Sequence, residues 1–174
     1  MEVTVRPCNA NDAAALALVG QATFLETYAG ALPQTDILAH CRVEHGEARY
    51  AEWLADPRYA LWIAEADEGR APLGYAVLSP PDLPVPLAGD DIELKRIYLL
   101  HRFHGVGIGA RLMEAAADGA RARGARRLLL GVFGGNVLAM AFYARQGFVQ
   151  AGERKFKVGA NEYDDLVLAR TLPA

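Results

Sequence analysis

The hydrophobic pattern changes character at Pro57. Before it, Val3 to Arg6 alternates apolar and polar residues and predicts a short strand. Asn11 or Asp12 then supplies a side-chain acceptor for the orphan N–H groups of a first helical turn. The run AAALALVGQATFLETYA predicts a helix ending near Gly30. Pro33 to Arg42 and Glu44 to Ala55 predict two shorter helices, the second with Tyr50, Trp53 and Leu54 on one apolar stripe. After Pro57, Tyr59–Ala66 and Leu73–Ser79 read as strands joined by the polar hairpin DEGRAP. The proline-rich PPDLPVPLAGD is a loop. Asp91–Leu100 is a strand, and Gly107–Arg123 a helix with Leu112, Ala115, Ala116 and Ala120 inward. Arg127–Phe133 is a continuous apolar strand of the kind buried on both faces. Asn136–Gln146 is a helix stopped by Gly147, and Phe148–Lys157 and Asp164–Thr171 are closing strands.

This order predicts an α/β fold with a mixed sheet. Its consecutive middle strands are antiparallel, and a right-handed parallel crossover joins the Ile92–Leu100 and Leu128–Phe133 strands. Within Asp91–Leu100 the parity of the apolar positions shifts. Ile92 and Leu94 mark one face, while Ile97 and Leu99 have the other parity. One apolar face keeps both sets only through an inserted residue, a β-bulge.

Length and composition narrow the classes. The chain has 174 residues, the size of one domain, so 1–174 reads as a single unit. Apolar residues make up 52% and charged residues 22%, which excludes intrinsic disorder. No apolar run reaches the ~20 residues of a membrane span, and MEVTVRPC lacks the features of a signal peptide. A net charge of −3 argues for neither nucleic acid nor an anionic membrane as partner. Two cysteines, Cys8 and Cys41, make no disulfide scaffold or zinc spacing. The expectation is a reduced, cytoplasmic protein, with a homodimer left open.

The chemistry concentrates in HRFHGVGIGARLM, residues 101–113. Gly105, Gly107 and Gly109 lie between a strand and a helix. Glycines and a helix N-terminus together turn backbone N–H groups toward an anion. From Leu94 to Met113 there are four cations (Lys95, Arg96, Arg102, Arg111) and no acid, so a locally positive site for a multiply anionic ligand is expected. GVGIGA also fits a dinucleotide fingerprint, but the next strand ends in Val132, Phe133, Gly134, Gly135 without the acid that would hold a ribose. A turn with no ligand is the third alternative. His101 and His104 sit three apart with no third ligand in view, so no metal is expected.

HGVGIGARLM resembles the acyl-CoA loop of the GNAT superfamily of N-acetyltransferases, [QR]-x-x-G-x-[GA]. His104 stands where Gln or Arg is usual, and Gly107 and Gly109 are the motif glycines; the pattern also fits two residues earlier, from Arg102. ELKRIYLL, LLLGVFGGNVLAMAFYARQGFVQAG and FLETYAG are similar to PaiA-type polyamine acetyltransferases. The resemblance implies a GNAT-type fold, a twisted, mostly antiparallel sheet flanked by helices and split between its fourth and fifth strands. It implies acetyl-CoA as cosubstrate, held by His104, Gly105, Val106, Gly107, Ile108, Gly109 and Ala110. Backbone groups of Ile97 and Leu99 at the bulge would pair with pantetheine and an amide there would face the thioester oxygen, with Tyr98 also among the cosubstrate-binding residues.

Asn136 and Tyr143 are seven residues apart, about two helical turns or roughly 10 Å, with small Ala139 between them on one face. Such a face can run beside an extended pantetheine arm. The resemblance makes Tyr143 the general acid for the leaving thiolate; packing beside Phe142 and Phe148 is the purely structural alternative. A phenol near 10 and a thiol near 8.5 make full transfer uphill by roughly 2 kcal/mol, so Tyr143 is tuned or acts as a hydrogen-bond donor. In some histone-acetylating relatives a glutamate matching Glu93 is the general base; a surface pair with Lys95 is the alternative. A carboxylate near 4.3 needs burial or a water relay to serve an amine near 10. Glu26, Asp36, Glu44 and Glu47 either line a pocket for a cationic amine or form a solvated helix face. The expected activity is transfer of acetyl from acetyl-CoA to a primary amine, a polyamine first, by direct attack and without a metal. The alternatives are a protein or peptide N-acetyltransferase, a CoA-binding regulator without turnover and, from the dinucleotide fingerprint, an oxidoreductase.

Overall fold

The computed structural model describes residues 1–173. Its elements are β1 (Val3–Pro7), α1 (Ala13–Tyr28), α2 (Gln34–Glu44), α3 (Glu47–Ala55), β2 (Ala60–Ala66), β3 (Pro72–Ser79), β4 (Asp91–Leu99), α4 (Ile108–Ala122), β5 (Arg127–Phe133), α5 (Val137–Arg145), β6 (Val149–Val158) and β7 (Asn161–Thr171). The seven strands form one sheet in the order β1-β2-β3-β4-β5-β7-β6. Every pairing is antiparallel except β4 with β5.

The two faces are covered differently. Ile92, Leu94, Leu128, Leu130 and Val132 pack under α4, whose Leu112, Met113 and Ala116 are fully buried, and under Tyr143 of α5. On the other face, Leu61, Ile63, Tyr75 and Val77 meet Leu16 and Val19 of α1 and Tyr50 and Trp53 of α3. Leu83 and Val85 of the proline-rich loop cover Leu129, Val167 and Ala169 on that same side. β5 is therefore buried on both faces, as its unbroken apolar run predicts.

The expected cap of α1 is corrected. Asp12 makes no side-chain cap of the helix. Instead Asn9 opens a 3-10 turn, Ala10–Asp12, by accepting from the Asn11 N–H, and Asp12 accepts from the Asn9 N–H. Asp12 also takes two hydrogen bonds from the Arg6 guanidinium, so it serves the turn and a buried ion pair at once.

The bulge falls where the parity shift puts it. Leu94 pairs with Leu78 and Arg96 with Val77, so Lys95 is the inserted residue. Ile92, Leu94, Ile97 and Leu99 then all reach the α4 face. Arg96 and Tyr98 turn to the α1 face.

Candidate active site

β4 and β5 pair over only three rungs, the last Glu93 with Leu129. Beyond it β5 pairs only with β7. The expected split between the fourth and fifth strands is present. Leu100 donates its N–H to the Leu73 carbonyl, so by alternation the backbone groups of Tyr98 and Arg96 face β3. Those of Ile97 and Leu99 face the split.

The glycine loop lies at the open end of that split. After a 3-10 turn, His101–Phe103, the chain passes through Gly105 and Gly107 at φ 80° and 86°, a left-handed geometry that glycine adopts at little cost. Gly107 is the N-cap of α4, and the first helical bond there runs from Arg111 N–H to the Gly107 carbonyl. Ile108, Gly109 and Ala110 therefore present first-turn amides without helical acceptors. Among the described residues the amides of Gly105, Val106 and Gly107 make no intramolecular hydrogen bond either. The result is a row of free donors at the positive end of a helix, which fits a multiply anionic group. His104 does not extend the row with its Nε2. That nitrogen donates to the Leu99 carbonyl at 2.8 Å, tying the loop to the end of β4.

The expected cluster of four cations is not assembled here. Arg96 is 9% exposed and points to the opposite face. It donates to Tyr50 Oη at 2.9 Å and the Glu44 carbonyl at 2.7 Å, and lies over the Trp53 ring at 4.6 Å. Arg111 donates to the Val3 carbonyl, and Arg102 lies over Phe103. The alternation of the strand and the inserted Lys95 separate these residues. The anion site rests mainly on backbone.

Tyr143 reaches the site from the α4 face. It is 8% exposed and packs against Phe142 and Phe148 at 5.5 and 5.7 Å between ring centroids. Burial, reinforced by Tyr98, holds its phenol well above the usual range. Its hydroxyl makes no hydrogen bond among the described residues. Asn136 is the N-cap of α5 rather than its first residue, and its Oδ1 accepts from Ala139 N–H at 3.1 Å. Its Nδ2 makes no hydrogen bond among the described residues.

The α1 face supplies the other groups. Glu93 is 3% exposed and accepts from the Asp82 N–H at 2.8 Å, rather than pairing with Lys95. The Tyr28 phenol lies against Tyr98, within electrostatic reach of Tyr143 and Asp165. The N-terminal acids do not gather into a pocket. Glu26 accepts from His101 N–H, Asp36 holds Asn161 and the β6–β7 turn, and Glu44 pairs with Arg49 and Arg96. The sequence reading passes over Asp165, a buried carboxylate on β7 paired with Arg154 of β6. Its only sequence signal is its place in the alternation with inward-facing Val167 and Ala169.

A model of the acetyltransferase (GNAT) family matches residues 26–148. This chain is a GNAT acetyltransferase. Uncharacterised N-acetyltransferases of Mycobacterium bovis and Mycobacterium tuberculosis are each 39% identical to the GNAT chain over 163 residues, covering 92% of it and 98% of their own length. The PaiA N-acetyltransferase of Thermoplasma acidophilum, solved in complex with coenzyme A, shares the fold with TM-score 0.79 at 19% identity, over 98% of this chain and 99% of that one. A GCN5-related N-acetyltransferase structure from Rhodopseudomonas palustris aligns with TM-score 0.76 at 22% identity, over 99% and 97% of the two chains. As a GNAT enzyme the chain draws its acyl group from acetyl-CoA. The free amides of the loop, the split-facing backbone of Ile97 and the split-facing N–H of Leu99 fit that cosubstrate.

Proposed function

We propose that this enzyme N-acetylates a small primary amine by direct attack in the cytoplasm, with polyamines as the first class of acceptor. The observation that carries the reading is the two-sided approach to the split. Tyr143 enters from the α4 face and Tyr98, Tyr28 and Glu93 lie on the α1 face, with the backbone of Ile97 and Leu99 between them. Acetyl-CoA, when bound, supplies an activated acyl carbon on a thiol leaving group.

The residues then divide the work. Amides of Gly105, Val106, Gly107, Ile108, Gly109 and Ala110 hold the phosphates, with His104 bracing the loop on Leu99. The N–H and C=O of Ile97 and the N–H of Leu99 hold the amides of the pantetheine arm, with the Tyr98 side chain on the α1 face beside it, and one N–H faces the thioester oxygen as charge develops on it. Asn136, through Nδ2, and the small Ala139 flank the arm on α5. Tyr143 keeps its proton because it is buried, and gives or shares it as the thiolate leaves. Glu93, at the closed end of the split, accepts the amine's proton through water. Cys8 packs with the α1–α3 cluster and Cys41 lies on α2, so neither supports an acyl-enzyme route. The polyamine reading is supported by the resemblance of FLETYAG and ELKRIYLL to PaiA-type enzymes, and by the carboxylates on the acceptor side.

Calorimetric titration with acetyl-CoA, followed by thiol release against spermidine, spermine, amino acids and a lysine peptide, tests the reading. Tight binding with amine-dependent release supports it, and the best amine names the class. Preference for the peptide makes the enzyme a protein acetyltransferase. Binding without release on any amine leaves a regulator, and absence of binding removes the role given to the glycine loop.

A further inference from the structure

A second recess opens on the α1 face, beyond the C-terminal end of β5. Its walls include Tyr28, Phe133, Phe156 and Tyr163, and Asp165 lies among them. Phe133 and Tyr163 meet edge-on, with ring centroids 6.2 Å apart. Asp165 stands opposite Phe133 in the β5–β7 register, so it sits beside the open end of the split. The carboxylate is 5% exposed. Arg154 donates to it from Nε at 3.2 Å and from Nη2 at 3.1 Å, both to Oδ2. Oδ1 accepts no hydrogen bond among the described residues.

Gly131 makes this arrangement fit. A Cβ there would lie 2.4 Å from the Arg154 guanidinium, so the bare backbone of β5 is the floor on which Arg154 crosses to Asp165. A buried carboxylate is costly unless paired, and a half-paired one strongly favours a further donor. Burial pushes the Asp165 carboxyl above its ordinary range in spite of Arg154. Aromatic faces around such a carboxylate attract the same kind of group, because each ring presents negative charge to a cation.

We infer that this recess seats the ammonium of the acceptor amine, and that Asp165, held by Arg154 over Gly131, selects a cationic acceptor through its free Oδ1. The inference rests on the N-acetyltransferase reading and adds the residue that chooses the acceptor. Asp165 acts here in binding; the proton is removed elsewhere. The recess has about 10 Å³ of room for a water-sized group, which suits an ammonium head alone, with the rest of the amine outside it.

The test compares phenethylamine, spermidine and the neutral 2-phenylethanol, with binding followed by saturation-transfer NMR on the enzyme loaded with CoA. The KM of each amine is measured alongside. Asp165→Asn is expected to raise the KM and Kd of both amines by about 10- to 100-fold, the scale of a hydrogen bond to a charged group. Affinity for acetyl-CoA and kcat at saturating amine stay within about threefold. Asp165→Glu recovers part of the loss, and 2-phenylethanol binds far more weakly than phenethylamine to the wild type. Unchanged amine KM in a variant that still binds acetyl-CoA overturns the inference while leaving the acetyltransferase reading intact. Equal binding of alcohol and amine by the wild type overturns it too, and that comparison stands even if Asp165→Asn does not fold. Failure of the wild type to bind either amine also overturns it. Loss of acetyl-CoA binding by the wild type would instead be the failure of the underlying reading.

Discussion

At the residue scale, the most consequential side chain is Tyr143. A phenol shifted upward by burial stays protonated beyond its ordinary pKa near 10. Turnover should therefore show no loss of this acid below about pH 10. Tyr143→Phe should lower kcat by about 100-fold, the low end of general acid–base contributions, with acetyl-CoA affinity unchanged. Single-turnover thiol release beside calorimetry separates the two, and an unchanged kcat removes Tyr143 from the chemistry. Buried His45 and half-buried His40 set a different pH dependence. Burial beside Arg96 pushes His45 down to about 2 and His40 down to about 4. In the unfolded chain both titrate near 6.5. Below that value the unfolded chain takes up protons that the folded chain refuses, so stability present above pH 6.5 is lost as pH falls. The slope approaches about 1.4 kcal/mol per pH unit for the buried His45 well below pH 6.5, and is smaller for the more exposed His40. Asp165, shifted upward, acts in the opposite sense, but nearer the carboxylate range. Urea midpoints at pH 7.0 and 5.0 should differ clearly; equal midpoints would show that neither ring is held neutral.

At the element scale, the proposed donor site rests on the glycine loop and the bulge. Gly107→Asp sets a carboxylate among the free amides and forces a side chain onto a φ of 86°. It should abolish acetyl-CoA binding by calorimetry while urea denaturation still reports a folded protein; retained affinity would move the phosphates elsewhere. Much of this was legible in the sequence. Strands and helices are recovered from apolar runs, alternation and the turn residues between them, and the parity shift between Leu94 and Ile97 locates the inserted Lys95. What was not legible depends on pairing between distant segments. The sheet turns Arg96 toward Tyr50 and Trp53, which strips the loop of a cation that lies only nine residues before Gly105. Asp165 and Arg154 meet only through the β6–β7 register, which an extra residue at Ala151 displaces. Asn9 displaced the expected cap because a 3-10 turn precedes α1, and such turns leave little periodicity to read.

At the scale of the whole molecule, the split makes one sheet serve two approaches. In the proposed reading, donor and leaving-group contacts come from the α4 face and acceptor contacts from the α1 face, so the reactants need not cross each other. A cosubstrate held by both strands should stabilise the entire fold. At a hundredfold excess over Kd the gain is about 2.7 kcal/mol, which for a chain of this size raises Tm by about 5–10 °C. Differential scanning fluorimetry with acetyl-CoA and with NAD reads this directly, and NAD should leave Tm unmoved. A shift with NAD alone would revive a dinucleotide reading of GVGIGA.

The split also alters how the protein meets other chains. An ordinary open sheet has two edges where hydrogen-bonding groups await a neighbour, and proteins guard such edges against strand addition. This sheet has a third and a fourth, along Ile97–Leu99 of β4 and along the β4-facing side of β5 beyond Leu129. They lie inside the molecule, and a peptide-like arm with amides of its own is what fits them. The donor thus does for this enzyme what a charged or proline-bearing edge strand does for others. Without its cosubstrate, the enzyme leaves these inner edges unpaired beyond the Glu93–Leu129 rung.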